Sequence, residues 1–119
     1  MFNYEKLETW QEAIAFAGMI YTVTKRFPAD ERFGLTNQMR RAAVSISSNI
    51  AEGSSRSSRN EFARFVEIAT GSIFEVVSQA FIAKEQGFLS ESDFKQIYDS
   101  SEKLGKMLSG LRRSLIKPK

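Results

Sequence analysis

The chain has 119 residues, of which 42% are apolar and 26% charged, a composition typical of one soluble globular domain with a buried core. Its net charge is only +3, from 17 basic and 14 acidic residues. Because it contains neither His nor Cys, it excludes Ser-His-Asp and Cys-His nucleophilic sites, disulfides and every metal site that depends on those ligands.

Targeting and cofactor motifs are missing as well. No apolar run approaches the ~20 residues of a membrane span, and the first residues lack the basic and then apolar regions of a signal peptide. There is no Walker A loop and no G-x-G-x-x-G motif. We therefore expect a cytoplasmic protein with no membrane partner, no cofactor and no metal.

The first predicted helix spans residues 9–26. Thr9 and Glu12 have the spacing of a capping box, and Pro28 disfavours helix at the residue before it. Helical periodicity predicts a core-facing side made of Trp10, Ala13, Ile14, Ala17, Tyr21 and Thr24. A second apolar stripe lies away from that side and predicts a contact between subunits; it consists of Phe16, Met19 and Val23.

The second predicted helix, residues 35–53, has the clearest amphipathic pattern in the chain. Its apolar arc consists of Leu35, Met39, Ala42, Ala43, Ile46 and Ile50, and Gly53 has the position of a C′ residue. Gln38, Ser45 and Asn49 border the arc. Two interpretations fit them: hydrogen bonds to a neighbouring helix, or a polar ligand or interface site.

The third and fourth helices are predicted at residues 59–86 and 91–116. Ser58-Arg59-Asn60-Glu61 and Ser90-Glu91-Ser92-Asp93 open them with capping-box spacing, and Gly87 ends the third. Phe74 and Phe81 lie off the main apolar face of the third helix. Either a neighbouring helix covers them or another subunit does.

Four amphipathic helices joined by short loops predict an all-α fold, a single domain over residues 1–119. The expected arrangement is an antiparallel up-down-up-down four-helix bundle. The apolar residues left over on the first and third helices predict a homo-oligomer.

Basic residues are the best candidates for a partner surface, because guanidinium groups bind phosphate with paired hydrogen bonds. The candidates for binding RNA or another nucleic acid are Arg40, Arg41, Arg56, Arg59, Arg64, Lys106, Arg112, Arg113 and Lys117. Residues 103–119 contain six basic residues and no acidic one, which suits either a polyanion or the dipole of the last helix. Arg40 and Arg41 also fit ion pairs between subunits.

Two other classes of function remain open. One is a protein–protein adaptor that docks a partner protein through the serine-rich loop or the helix ends. The other is an enzyme with Glu52 and Glu61 as an acid–base pair, although Glu52 also has the i, i+4 spacing for an ion pair with Arg56. No catalytic residue is assigned on this sequence.

Three segments of the chain, taken in order, carry a family resemblance: L-E-T-W-Q-E-A, F-P-A-D-E-R-F-G-L-T-N-Q-M-R-R-A-A-V-S-I-S-S-N-I-A-E-G and R-N-E-F-A-R-F-V-E-I-A-T-G-S-I-F-E. The chain resembles in them the bacterial four-helix-bundle family called 23S rRNA intervening-sequence proteins. The resemblance covers nearly the whole chain. The matching positions are Arg40, Arg41, Ser45, Asn49, Glu52, Gly53, Glu61, Phe62, Gly71 and Ser72, and where the family often has Pro this chain has Ser47.

The resemblance implies an assembly and a class of partner, but no catalytic role for these residues. Members of the family resemble the accessory protein of diversity-generating retroelements, a basic pentameric bundle that partners a reverse transcriptase and nucleic acid. A ring-like homopentamer is therefore expected on the resemblance alone, with nucleic-acid binding as the leading function.

Overall fold

A computed structural model describes residues 1–116 and contains four α-helices. They are α1 (Glu8–Thr24), α2 (Leu35–Ser54), α3 (Arg59–Glu85) and α4 (Glu91–Ile116). Two short 3-10 helices, Asn3–Lys6 and Ala29–Glu31, lie before α1 and before α2. No strand occurs among these residues, which confirms the predicted all-α fold.

The helices pack into an elongated body of 49 × 23 × 19 Å. α2 contacts α1 and α3, and α4 contacts α3 and α1, so that each helix has two neighbours. The largest fully buried side chains come from all four helices and include Ile20, Met39, Val66 and Leu104. One contiguous apolar core therefore holds the four helices together.

The apolar arc of α2 is buried as its periodicity predicts. All six predicted residues are in the core, and Met39, Ala43, Ile46 and Ile50 are fully buried. Apolar residues at spacings of three and four give one continuous stripe on a helix, and burial of that stripe stabilises the fold by roughly 25 cal/mol per Å² of apolar area. This helix contacts α3 and α1 along most of its length.

The core-facing side of α1 differs from the prediction in part, because Ala13 and Thr24 are buried and Trp10 and Ala17 pack against the core, but Ile14 and Tyr21 are exposed. Phe16 and Val23 are only 3% and 2% exposed and lie in the core with Ala13 and Ile20, while Met19 is half-buried and accepts a hydrogen bond from Ser100 of α4 at 3.9 Å. The proposed subunit contact through Phe16, Met19 and Val23 is therefore wrong. Burial of the large Phe16, Ile20 and Val23 side chains removes apolar area from water, which stabilises this orientation of α1.

Two of the three predicted N-caps, and the predicted C-terminal glycine of α3, are confirmed. The Ser58 and Ser90 hydroxyls accept hydrogen bonds from the backbone N–H groups of Glu61 and Asp93, as expected of N-caps. The N···Oγ distance is 3.0 Å in both. Thr9 is no cap, because α1 begins at Glu8 after Leu7. After α3, Gly87 has φ +80°, and the N–H groups of Gly87 and Phe88 bond the Lys84 and Ala83 carbonyls, which is a Schellman motif.

Gly53 has a packing role instead of the predicted capping role. It lies inside α2, is buried, and faces the first turns of α3. A Cβ atom at Gly53 would lie 2.7 Å from the Phe65 Cβ and 2.8 Å from the Phe62 Cδ1. The absence of a side chain at this position therefore lets α2 and α3 approach closely before the serine-rich loop.

We expect Gly53→Ala to lower the free energy of unfolding by about 1–3 kcal/mol, because the new methyl group overpacks against Phe62 and Phe65. Gly18→Ala is the matched control, since nothing lies within 4 Å of its Cβ position on exposed α1 surface. That change should stabilise the protein by about 0.4–1 kcal/mol through helix propensity and loss of unfolded-state entropy. Urea unfolding of the two variants measures both effects, and a stabilised Gly53→Ala would contradict the packing role.

Candidate nucleic-acid interface

Three arginines and two aromatic residues line an open groove on the outer side of α2. The groove has a volume of about 710 Å³, and its lining includes Tyr21, Arg32, Phe33, Asn37, Arg40 and Arg41. We call it the arginine groove. Its lining contains no carboxylate, and among residues 1–116 no carboxylate oxygen lies within 4 Å of the guanidinium nitrogens of its three arginines.

Arg40 is fixed in this groove by α1. Its Nε donates a hydrogen bond to the Thr24 hydroxyl at 2.9 Å, and its Nη2 donates to the Tyr21 carbonyl oxygen at 3.4 Å. The guanidinium carbon lies 4.5 Å from the centre of the Tyr21 ring, a cation–π contact. Arg40 therefore has a structural role between α1 and α2, and its remaining N–H groups are held in place beside Arg41.

The basic residues near the start of α3 and the end of α4 mostly bond to the protein itself. Arg59 Nη2 donates a hydrogen bond to the Ser114 carbonyl, one of the last carbonyls of α4. Arg112 Nε lies 2.8 Å from a Glu67 carboxylate oxygen, and Arg113 donates to the Ser109 hydroxyl at 2.9 Å. These bonds favour a structural explanation for part of the basic C-terminal region.

The remaining basic candidates differ in their surroundings. Arg64 and Lys106 are exposed, and no carboxylate oxygen in the described part of the chain lies within 4 Å of either. Arg56 pairs with Glu52 at 2.8 Å and lies over the Phe65 ring, with the guanidinium carbon 4.8 Å from its centre. Lys117 lies outside the described residues.

The ion pair of Arg56 with Glu52 also bears on the enzyme hypothesis. Glu52 and Glu61 are both exposed, on either side of the serine-rich loop, and Glu52 is occupied by its i, i+4 partner. Within residues 1–116, no group of three His, Cys, Asp or Glu residues is placed to hold a metal ion. The surroundings of these carboxylates are those of ordinary surface residues.

The polar residues at the border of α2 form a small network with α3. The Ser72 hydroxyl donates to the Ser45 hydroxyl at 2.9 Å, and Asn49 Nδ2 donates to the Ser45 carbonyl and hydroxyl at 2.8 and 3.0 Å. The Ser72–Ser45 hydrogen bond thus joins α3 to α2, while the Asn49 amide bonds within α2. Gln38 is exposed and lies beside Arg41, Glu75 and Gln79 in a smaller groove.

An apolar groove runs between α3 and α4. It has a volume of about 510 Å³, and we define this α3–α4 groove by Phe74, Phe81, Tyr98, Ser101 and Gly105. Phe74 is 73% exposed and Phe81 is 51% exposed, although the Phe81 ring also contacts the rings of Phe94 and Tyr98 at 4.8 and 6.4 Å. Within the single chain no neighbouring helix covers Phe74, contrary to one of the two explanations from the sequence.

The apolar character of α3 extends beyond the part that is buried. By length and composition alone α3 could cross a membrane, a test that core helices of soluble proteins also pass. Only 33% of its most apolar 18-residue window is buried. The outer side of α3 thus exposes apolar side chains, including Ile68 and Ile82 as well as Phe74.

Sequence reasoning missed most of the arginine groove. Arg40 and Arg41 were candidates, but Arg32, Phe33, Asn37 and Tyr21 were not. The available signal was the R-F-G segment directly before α2, where a large aromatic residue follows Arg in a loop. Its position over α2 depends on how the loop from Phe27 to Gly34 folds, which periodicity does not reveal.

Known proteins resemble the chain in fold and in sequence. One solved structure, from Bacteroides thetaiotaomicron and described as a protein with unknown function from the S23 ribosomal protein family, matches with a TM-score of 0.81. That protein is 21% identical, and the match covers 88% of this chain and 95% of the other, a likeness that shows the fold alone. No functionally curated protein matches the sequence.

The sequence match is longer than any single motif. Residues 5–110 match the family model described as 23S rRNA-intervening sequence protein, a range that runs from before α1 into α4 and includes the whole α2–α3 network. The chain therefore belongs to the family of 23S rRNA-intervening sequence proteins.

Proposed function

We propose that this chain is a non-enzymatic, cytoplasmic protein that forms a ring-like homo-oligomer and binds RNA or another nucleic acid through phosphate contacts. The observation that carries the proposal is the arginine groove, in which three guanidinium groups line one groove without a carboxylate. Guanidinium groups in this setting attract a polyanion, because no carboxylate among residues 1–116 neutralises them.

The protomer that we propose is an antiparallel up-down-up-down bundle. In each helix pair, contacts join early residues of one helix to late residues of the other. Arg59, the first residue of α3, donates a hydrogen bond to the Ser114 carbonyl near the end of α4. Arg26, just after α1, lies 3.0 Å from Asp93 near the start of α4, and Arg40 near the start of α2 donates a hydrogen bond to Thr24 at the end of α1. Likewise, Gly53 at the end of α2 lies against Phe62 at the start of α3.

The α3–α4 groove and the outer side of α3 support self-association. Exposed contiguous apolar surface usually marks an interface, and Phe74 is a large side chain with no cover in the single chain. Five-fold symmetry is supported by the family resemblance alone. A ring would repeat the arginine groove around its axis and strengthen binding to a long polyanion through multivalency.

Neutralising unpaired basic residues is expected to weaken nucleic-acid binding and its dependence on salt. We expect the triple variant Arg41→Gln, Arg64→Gln and Lys106→Gln to lower the slope of log affinity against log salt by about one unit for each lost phosphate contact. Fluorescence titration of the purified protein with structured RNA and duplex DNA, at low and physiological salt, measures this slope.

A matched control removes the same charge elsewhere. Lys84, Lys95 and Lys103 each pair with a carboxylate at 2.9–3.4 Å, so replacing these three with Gln changes the net charge equally at occupied sites. We expect this control to retain the slope of the unmodified protein. Equal losses in both variants would indicate a general effect of charge, and no binding at low salt would contradict the proposal.

The adaptor function is the second candidate, and the α3–α4 groove is the observation that favours it. A partner protein that docks on apolar side chains such as Phe74 would stay bound after the arginines are neutralised. Absence of nucleic-acid binding together with a salt-insensitive protein partner would replace the first proposal with this one.

A further inference from the structure

We infer that the arginine groove is a site for single-stranded nucleic acid, with an unpaired base stacked on Phe33 and the adjacent phosphates held by Arg32 and Arg41. The inference rests on the proposed function and deepens it, since it names the form of nucleic acid and the residue that selects it. Phosphate contacts alone would accept single strands and duplexes alike.

Phe33 is the residue that distinguishes this groove from an ordinary basic patch. It is 84% exposed, and its ring lies in the loop directly before α2, with the Arg32 guanidinium carbon 5.1 Å from the ring centre. The apolar core of the bundle does not include it. An accessible aromatic ring in a basic groove is the usual platform for a nucleic-acid base.

The polar groups around Phe33 match a sugar-phosphate backbone. Arg41 is exposed and Arg40 is held in place by Thr24, so one guanidinium is free to adjust while the other is already oriented. The Asn37 side chain adds an amide that can donate to phosphate or sugar oxygens. Glu75 lines the smaller groove next to Arg41 and does not line the arginine groove.

Stacking on Phe33 requires a base with an accessible face. In a duplex both faces of an internal base are covered by its neighbours, whereas in single strands and loops the bases are available for aromatic side chains. The arginine groove is therefore expected to prefer single strands, with little dependence on base identity, because every base offers a stacking face.

The arginine groove and the α3–α4 groove are formed by different helices. The arginine groove is formed by α1, α2 and the loop between them, whereas the apolar α3–α4 groove is formed by the other two helices. Because α2 contacts α1 and α3 while α4 contacts α3 and α1, these two grooves lie on opposite sides of the bundle. Phe74 therefore lies outside the arginine groove, and a substitution there does not alter the lining of the groove.

Replacing Phe33 tests the inference directly. We expect Phe33→Ala to weaken binding of a fluorescein-labelled oligouridine of about 12 nucleotides by roughly 5- to 150-fold. The affinity of the same variant for a duplex of equal length should stay unchanged. Phe33→Trp should restore single-strand binding, because it restores the stacking surface. Phe2→Ala is the matched control, since Phe2 is also an exposed phenylalanine but lies before α1.

Arginine variants separate stacking from charge. Arg41→Gln should weaken single-strand and duplex binding together and lower the salt slope for single strands by about 0.7. Phe33→Ala should leave that slope unchanged. Equal affinity for single strands and duplexes, with no effect of Phe33→Ala, would overturn this inference while the proposed function stands. Failure of the unmodified protein to bind either form would overturn both.

Discussion

Phe16→Ala is expected to lower the free energy of unfolding by about 3–5 kcal/mol, whereas Ile14→Ala should change it by no more than about 1 kcal/mol. Both residues are apolar and lie two positions apart on α1, but Phe16 is 3% exposed and Ile14 is 45% exposed. Removal of the buried ring forfeits its transfer free energy and leaves a cavity among Val23, Ile20 and their partners. Truncation of Ile14 removes a side chain that is already partly in water.

Chemical unfolding with urea, followed by circular dichroism at several protein concentrations, measures both values. Concentration matters because any self-association adds to the apparent stability. The opposite ranking, with Ile14→Ala the more damaging change, would mean that the core-facing side is the one first predicted from periodicity.

The contrast between α1 and α2 shows how far periodicity determines the fold. In α2 the opposite side carries Arg41, Ser48 and Glu52, so only one side of the helix can be buried and the prediction is confirmed. In α1 both Ile14 and Phe16 lie on apolar stripes, and packing against α2 and α4 decides which of them is buried. The apolar periodicity of a helix determines which of its faces is buried only where the opposite face is polar.

Some sequence signals at the helix ends can be interpreted locally, and others depend on a neighbouring helix. Ser58 and Ser90 cap their helices because a cap needs only a hydroxyl and a nearby backbone N–H. Gly53 could not be interpreted locally, because its role depends on the distance to Phe62 and Phe65 on another helix. Glycine after a helix and glycine between two helices look the same in sequence.

The candidate site shows the same limit at a larger scale. Arg40 and Arg41 are adjacent in sequence, but the Arg40 side chain bonds α2 to α1, whereas the Arg41 side chain is exposed. Phe33 joins them only through the path of the preceding loop. A site assembled from a loop and two helices therefore needs the tertiary structure before its residues can be grouped.

Phe74→Glu is expected to dissociate the proposed oligomer and to weaken its binding to a long single strand by about 10²-fold or more, through loss of multivalency. Phe74 is 73% exposed in the single chain, so the substitution leaves the bundle core intact. In an apolar interface the new carboxylate would be buried without a partner, which disfavours association strongly. Sedimentation velocity and titration with a long oligonucleotide measure the two effects on one preparation.

Ile14→Glu is the matched control for Phe74→Glu, because it adds the same charge at an exposed apolar residue of α1, away from the α3–α4 groove. Binding of a mononucleotide separates the two contributions. The arginine groove of a dissociated Phe74→Glu protomer should hold a single nucleotide as well as the groove of the oligomer does. An unchanged sedimentation coefficient would place the subunit interface elsewhere, and weakened mononucleotide binding would mean that the groove itself depends on the assembly.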